Sequence, residues 1–114
     1  MQSFGKRGEE FAKSFLSKAG YKLLVENYRA GRSEIDLICE KDGLLVFVEV
    51  KTRSSTAYGL PEDFVSKNQQ QSIIRGAERY MEEVSWKGDL RFDILALVFD
   101  KGRFEVEHLK DAFY

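Results

Sequence analysis

The feature that most limits how this chain can fold is the run from Leu44 to Arg53, Leu-Leu-Val-Phe-Val-Glu-Val-Lys-Thr-Arg. Its continuous apolar and aromatic start describes a strand covered on both faces. Two charges then follow. Strand side chains alternate with a period of two, so Glu49 and Lys51 share one face while Val48 and Val50 take the other. An unpaired ion beside such a strand is costly, and the two charges therefore require partners, a metal ion or a solvent-filled cleft.

The rest of the chain supplies one unit to hold that strand. Its 114 residues are 43% hydrophobic and 13% aromatic, with a single Pro, which fits one domain over residues 1–114 and argues against disorder or a linker. Eighteen Lys and Arg against 19 Asp and Glu leave a net charge of -1, so any basic surface for nucleic acid must be local. Cys39 is the only cysteine and forms no internal disulfide. No stretch approaches the roughly 20 apolar residues of a membrane span. The first ten residues have no apolar region of signal-peptide type, which makes the cytoplasm the default expectation.

Apolar residues at helical spacing, Phe4, Phe11, Ala12, Phe15, Leu16 and Ala19, predict a first helix closed by Gly20. Tyr21–Tyr28 has strand character and Arg29–Arg32 reads as a basic turn around Gly31. A strand from Ser33 to about Glu40 should pair with Leu44–Lys51 across Asp42-Gly43, a strong two-residue hairpin signal. A polar loop then covers Ser54–Asp63. Ser66 with Gln69 resembles a capping box, opening a helix whose stripe is Ile73, Ile74, Ala77, Tyr80, Met81 and Val84. Leu90–Phe99 and Arg103–His108 read as strands about a Lys101-Gly102 turn, and Lys110–Tyr114 as a final helical turn. The order αβββαββ predicts an α/β fold, a mixed sheet with helices packed on it.

By the same alternation Glu34 and Asp36 share a face, with Ile35, Leu37 and Cys39 on the other. With Asp42-Gly43 as the turn, Asp36 falls opposite Glu49 and Glu34 opposite Lys51, at about 4.5–5.5 Å between Cβ atoms. Two carboxylates so close repel unless one is protonated or a cation lies between them. Hard oxygen ligands favour Mg²⁺ or Mn²⁺, and Lys51 could orient water or neutralise charge on a phosphate. The bland alternative is a cross-strand salt-bridge cluster with Glu34 paired to Lys51 or Arg32. Phe4, Phe11, Phe15, Phe47, Phe92 and Phe99 read as core, and Cys39 as a small buried hydrophobe. Tyr28 and Tyr58 are ambiguous, and His108 has no companion ligand.

Asp36, twelve intervening residues, then Glu49-Val50-Lys51 resembles the Asp…Glu-x-Lys core of the PD-(D/E)XK nuclease superfamily, although no Pro precedes Asp36. A wider set, Gly5–Glu9 with Ala12, Asn27-Tyr28-Arg29, Glu34–Ile38, Val46–Arg53, Lys67, Arg91-Phe92-Asp93 and Ala112-Phe113, resembles the YraN-like uncharacterised protein family 0102. Ser33 stands where that family usually has Gly. The resemblance implies a restriction-endonuclease-like fold akin to Holliday-junction resolvases. It also implies Asp36 and Glu49 as metal ligands, Glu9 as a further acidic residue of the metal site, the Val50 carbonyl as a ligand and Lys51 as the catalytic lysine.

Lys6, Arg7, Arg29, Arg32, Arg53, Lys67 and Arg75 could contact phosphates without reading sequence. Arg53 at the strand end and Lys67 at a helix start are favoured, with Arg29 and Thr52 as further candidates. The resulting expectation is a metal-dependent endonuclease acting on DNA, branched DNA included, with no membrane role. A homodimer would gather two local basic surfaces. A non-catalytic nucleic-acid-binding module with a partner and a purely structural interaction protein are the competing readings.

Overall fold

The computed structural model describes residues 3–54 and 65–114. Among these residues the elements run α1 (Phe4–Lys18), β1 (Lys22–Ala30), β2 (Ser33–Lys41), β3 (Leu44–Arg53), α2 (Lys67–Val84), β4 (Leu90–Asp100) and β5 (Arg103–Leu109), the expected αβββαββ order. The strands form one mixed sheet in the order β1-β2-β3-β4-β5. Neighbours are antiparallel except β3 and β4, which run parallel. A parallel pair needs a crossover, and α2 lies in it. Tyr58 and nearly all of the polar loop expected over Ser54–Asp63 fall outside the described residues.

Each face of β3 carries its own apolar layer. Leu45 and Phe47 pack with Ile38, Phe92 and Ile94 under Ile73, Ala77 and Tyr80 of α2. Val46 and Val48 pack with Leu37, Cys39, Leu95 and Leu97 under Ala12 and Leu16 of α1. All four β3 side chains are buried, each worth about 1.5–3 kcal/mol. The expected two-faced strand is therefore the centre of the fold. Cys39 is buried as expected, and burial first of all pushes its thiol up to about 11.

Local signals set the element ends. Ser3 caps α1 by accepting from the Lys6 amide at 3.2 Å. At the other end the chain turns at Gly20 (φ +92°), with the Tyr21 amide bonded to Leu16 O at 2.9 Å. Asp42 and Gly43 take φ +52° and +78° and set Lys41 opposite Leu44, as their turn type requires. Helix α1 approaches the end of β3 very closely: a Cβ on Gly8 would lie 2.3 Å from Thr52 Oγ1.

Four expectations need correction. Phe4 is 37% exposed, because it lies in the first turn of α1 beyond the layer that Ala12 and Leu16 close. Val84 is 48% exposed at the last turn of α2, where the helix has run past the sheet layer. Residues 110–114 form no helical turn. Instead Asp111 adopts φ +55° and the Ala112 amide bonds to Phe92 O at 2.7 Å, tying the chain end to β4. Finally, Ile35 does not share a face with Leu37 and Cys39; it joins the α2 layer while they join the α1 layer. Asn27, between the registered partners of Leu37 and Ile35, has φ +54°, so both strands reverse facing there.

On the α1 face, Asp93 is fully buried yet completely partnered. Arg91 donates to both its oxygens at 2.8 Å, His108 Nε2 lies 2.7 Å from Oδ2, and the Asp111 amide donates to Oδ1 at 3.1 Å. Arg91 also reaches the Tyr21 hydroxyl at 2.8 Å. His108, given no role from sequence, thus belongs to a structural network joining the α1–β1 connection, β4, β5 and the chain end. Burial alone would raise the Asp93 pKa, but the bonds from His108, Arg91 and Asp111 together hold it below its ordinary 3.8. A depressed carboxyl pKa stabilises the fold above the unfolded value and loses that contribution as pH falls through the folded one. Asp93→Asn should therefore cost about 3–5 kcal/mol at neutral pH. Urea unfolding should show the gap from wild type closing below pH 3.8; a gap independent of pH would refute the assignment.

Candidate functional site at the fork of two strands

The β2–β3 ladder begins at the hairpin and ends at Leu37 opposite Val48. Continued in register, the Val50 amide would bond to the Ile35 carbonyl. It bonds instead to the Asp36 side chain, Oδ2 accepting at 2.8 Å. One carboxylate thus ends the ladder and satisfies the donor it leaves behind. Meanwhile β3 continues beside β4, paired through Arg53 with Val98. The result is a fork between β2 and β3, with Asp36 on one arm and Glu49 and Lys51 on the other.

Glu49 is only 6% exposed. Lys51 Nζ lies 3.4 Å from its Oε2, confirming that the two share a face. Gln69, in the first turn of α2, donates its side-chain amide to the same oxygen. The expected capping box is therefore only half made: Ser66 Oγ accepts from the Gln69 amide at 3.1 Å, while the Gln69 side chain turns to Glu49 instead of returning to Ser66. A buried carboxylate without enough donors is the costlier need. Burial, then the neighbouring Asp36 as charge and as hydrogen-bond partner, push Glu49 up to about 8 against the opposing effect of Lys51.

The other expected site residues lie at varying removes. Glu34 pairs with Arg29 at 3.5 Å instead of with Lys51 or Arg32, because the fork separates it from β3. Arg29 is well exposed on the edge strand β1, away from the carboxylate pair in the sheet order. Thr52 packs against Gly8 on the α1 face, opposite Glu49 and Lys51. Half-buried Arg53 donates to Thr52 O at 3.0 Å, and exposed Lys67 begins the helix that carries Gln69. Glu9 is on α1, 4.0 Å from Lys6. Tyr28, ambiguous from sequence, is held by Glu83 and stacks edge-on against Tyr80 at 5.3 Å. Gln69 is the site residue that sequence reading missed, its spacing from Ser66 having supplied a sufficient local explanation.

Residues 8–97 match the model of Uncharacterised protein family UPF0102. A UPF0102 protein of Chloroherpeton thalassium is 41% identical over 115 residues, covering 98% of this chain and 89% of its own. Another from Flavobacterium psychrophilum is 41% identical over 110 residues, covering 96% and 92%. The chain belongs to UPF0102. The resemblance read from the motifs thus holds at the level of the family. The matched span of this UPF0102 member contains Asp36, Glu49, Lys51 and Gln69, with Glu9 near its start.

Asp36 and Glu49 offer hard oxygen donors that a small divalent cation would suit, and their mutual repulsion is what such a cation relieves. Among the described residues no group of three or more His, Cys, Asp or Glu side chains is gathered to hold a metal ion. The fit accordingly rests on two carboxylates, with water and backbone oxygen completing any coordination. In metal-free buffer the folded Glu49 keeps its proton to about pH 8 while the unfolded chain releases it near 4.5, so wild-type stability falls between those values. Glu49→Gln should remove that slope and gain relative to wild type on going from pH 5 to pH 8. The gain is a few kcal/mol at most, at about 1.4 kcal/mol per pH unit. Thermal unfolding in chelator decides; the same pH slope in both proteins would contradict the assignment.

Proposed function

We propose that this UPF0102 protein is a metal-dependent nuclease of the PD-(D/E)XK type, hydrolysing phosphodiester bonds of DNA, with branched DNA among its substrates. The observation that carries the reading is the convergence of Asp36, buried Glu49 and Lys51 where β2 leaves β3. A cross-strand salt-bridge cluster would place its acids against cations and lower their pKa. Here the buried Glu49 is pressed against another acid, Asp36, the kind of perturbation that concentrates at functional sites.

In this reading Asp36 and Glu49, with the Val50 carbonyl, would hold Mg²⁺ or Mn²⁺, while Glu9, beside Lys6 on α1, is not gathered with them. The ion supplies Lewis acidity at the phosphate and a more acidic water. Asp36 has its orientation fixed by the Val50 amide. Gln69 fixes Glu49, and its place at the start of α2 makes it a positioning residue. Lys51 brings a positive charge to the edge of the cleft, where it can neutralise charge that develops on phosphate oxygens. Arg53, Lys67, Arg29 and Thr52 would serve the flanking strand, with Arg53 and Lys67 nearest by element and Thr52 limited by its packing on Gly8.

The test is cleavage of labelled single-stranded, duplex and four-way-junction DNA in Mg²⁺ or Mn²⁺. Wild type should cut at least one substrate. Glu49→Gln, which should keep the fold, and Lys51→Ala should each lose at least about 100-fold in rate. Salt-dependent binding without cutting would replace the enzyme by a nucleic-acid-binding module of the same fold, and neither cutting nor binding would reject both.

A further inference from the structure

The structure sorts the cations that the sequence offered to phosphates. Lys6 lies 4.0 and 3.7 Å from Glu9 and Glu10, Arg7 stands over the Phe99 ring at 5.1 Å, and Arg53 donates to Thr52 O. Arg29 holds Glu34, the acid nearest Arg32 in sequence, at 3.5 Å. Three cations are left. Arg32, Lys67 and Arg75 are exposed, and among the described residues they make no ion pair.

Two of the three are joined by a close contact between α2 and the start of β2. Ser72 donates to Ser33 Oγ at 3.4 Å, and a Cβ on Gly76 would lie 3.0 Å from the Ser33 Cβ. Arg32 precedes Ser33 and Arg75 precedes Gly76, so the two arginines leave the backbone on either side of this contact. It lies on the same face of the sheet as Glu49, since Ile35 packs in the α2 layer and Gln69 of α2 reaches Glu49. Two routes give its distance from the fork. From Arg32 to Asp36 the strand covers roughly 13 Å, and from Gln69 to Arg75 the helix covers roughly 9 Å. Charge along α2 is segregated in the same sense: Lys67 to Ala77 contains no acid, whereas Glu78, Glu82 and Glu83 follow, and Glu83 is held by Tyr28.

We propose that Arg32 and Arg75, with Lys67 at the head of α2, bind the phosphate backbone of nucleic acid on the β2 side of the phosphodiester held at the fork. This rests on the reading of the fork as a phosphodiester site, and adds to it the direction in which the bound chain leaves. At about 3.4 Å per nucleotide of one duplex strand, the two arginines meet the backbone roughly three or four nucleotides from the fork. A guanidinium grips phosphate oxygens through paired hydrogen bonds and reads no base, so this surface fixes position and not sequence. Local segregation of charge is also how a chain of net charge -1 can attract a polyanion.

The test variant is Arg32→Gln with Arg75→Gln. Both side chains are exposed and without an ion-pair partner among the described residues, so thermal unfolding should be unchanged. Binding is measured by fluorescence anisotropy of labelled duplex in chelator, where nothing is cut, over a range of salt. Each lost phosphate contact takes about 0.9 from the slope of log affinity against log salt. Between about 50 and 200 mM salt, wild type should therefore lose about ten-fold more affinity than the double variant. Lys101→Gln with Arg103→Gln removes the same charge from the β4–β5 turn, across the sheet, and should keep the wild-type slope. An unchanged slope in Arg32→Gln with Arg75→Gln, or an equal loss in the β4–β5 pair, would overturn the proposed surface while leaving the fork reading intact. If wild type binds no duplex the surface is rejected, and cleavage assayed in Mg²⁺ decides separately whether the fork reading falls with it.

Discussion

The bond between the Val50 amide and the Asp36 carboxylate is the constraint on which the candidate site depends. A buried strand cannot leave its amides unmatched, so β2 can part from β3 only if something else accepts from Val50. Asp36 does so at 2.8 Å. The same act turns the strand, sends Ile35 to the α2 layer and leaves Asp36 beside Glu49. A local need for a hydrogen-bond acceptor thereby brings two acids together.

The two faces of the sheet treat buried acids in opposite ways. Asp93, against α1, receives donors from Arg91, His108 and Asp111, and its pKa is lowered. Glu49, against α2, has Gln69 and Lys51 but also Asp36, and its pKa is raised. The first carboxylate joins elements together. The second is left with an interaction that a bound cation could improve. The structural network and the candidate site are separated by the thickness of one strand layer, since Val48 beside Asp93 and Glu49 beside Ile94 are consecutive residues of β3.

Much of this was legible in the sequence because it depends on periodicity and turn chemistry. The apolar run of β3, the Asp42-Gly43 register and the stripe of α2 follow from rules that act over a few residues. Even the sharing of a face by Arg91 and Asp93 is a matter of alternation. What escaped depends on contacts between distant segments. The facing of Ile35 could not be read because alternation assumes an unbroken ladder, and a side chain breaks it here. Gln69 was explained locally by Ser66, which hid its contact with Glu49. His108 acquires its partner only when β5 lies beside β4. Phe4 was assigned to the core by spacing that ignores where a helix outruns the layer beneath it.

The irregular path of β1 has a consequence for how copies of this chain meet. An open sheet has two unpaired borders, each a row of donors and acceptors that a foreign strand could join. Along β1 the register slips between Leu23 and Val25, and Asn27 then takes a left-handed conformation, so the row is cut into short pieces. At the opposite border β5 spans only Arg103–Leu109 and carries exposed Glu105 and Glu107. Among the described residues neither border offers a long, flat template, an arrangement that disfavours open-ended strand addition.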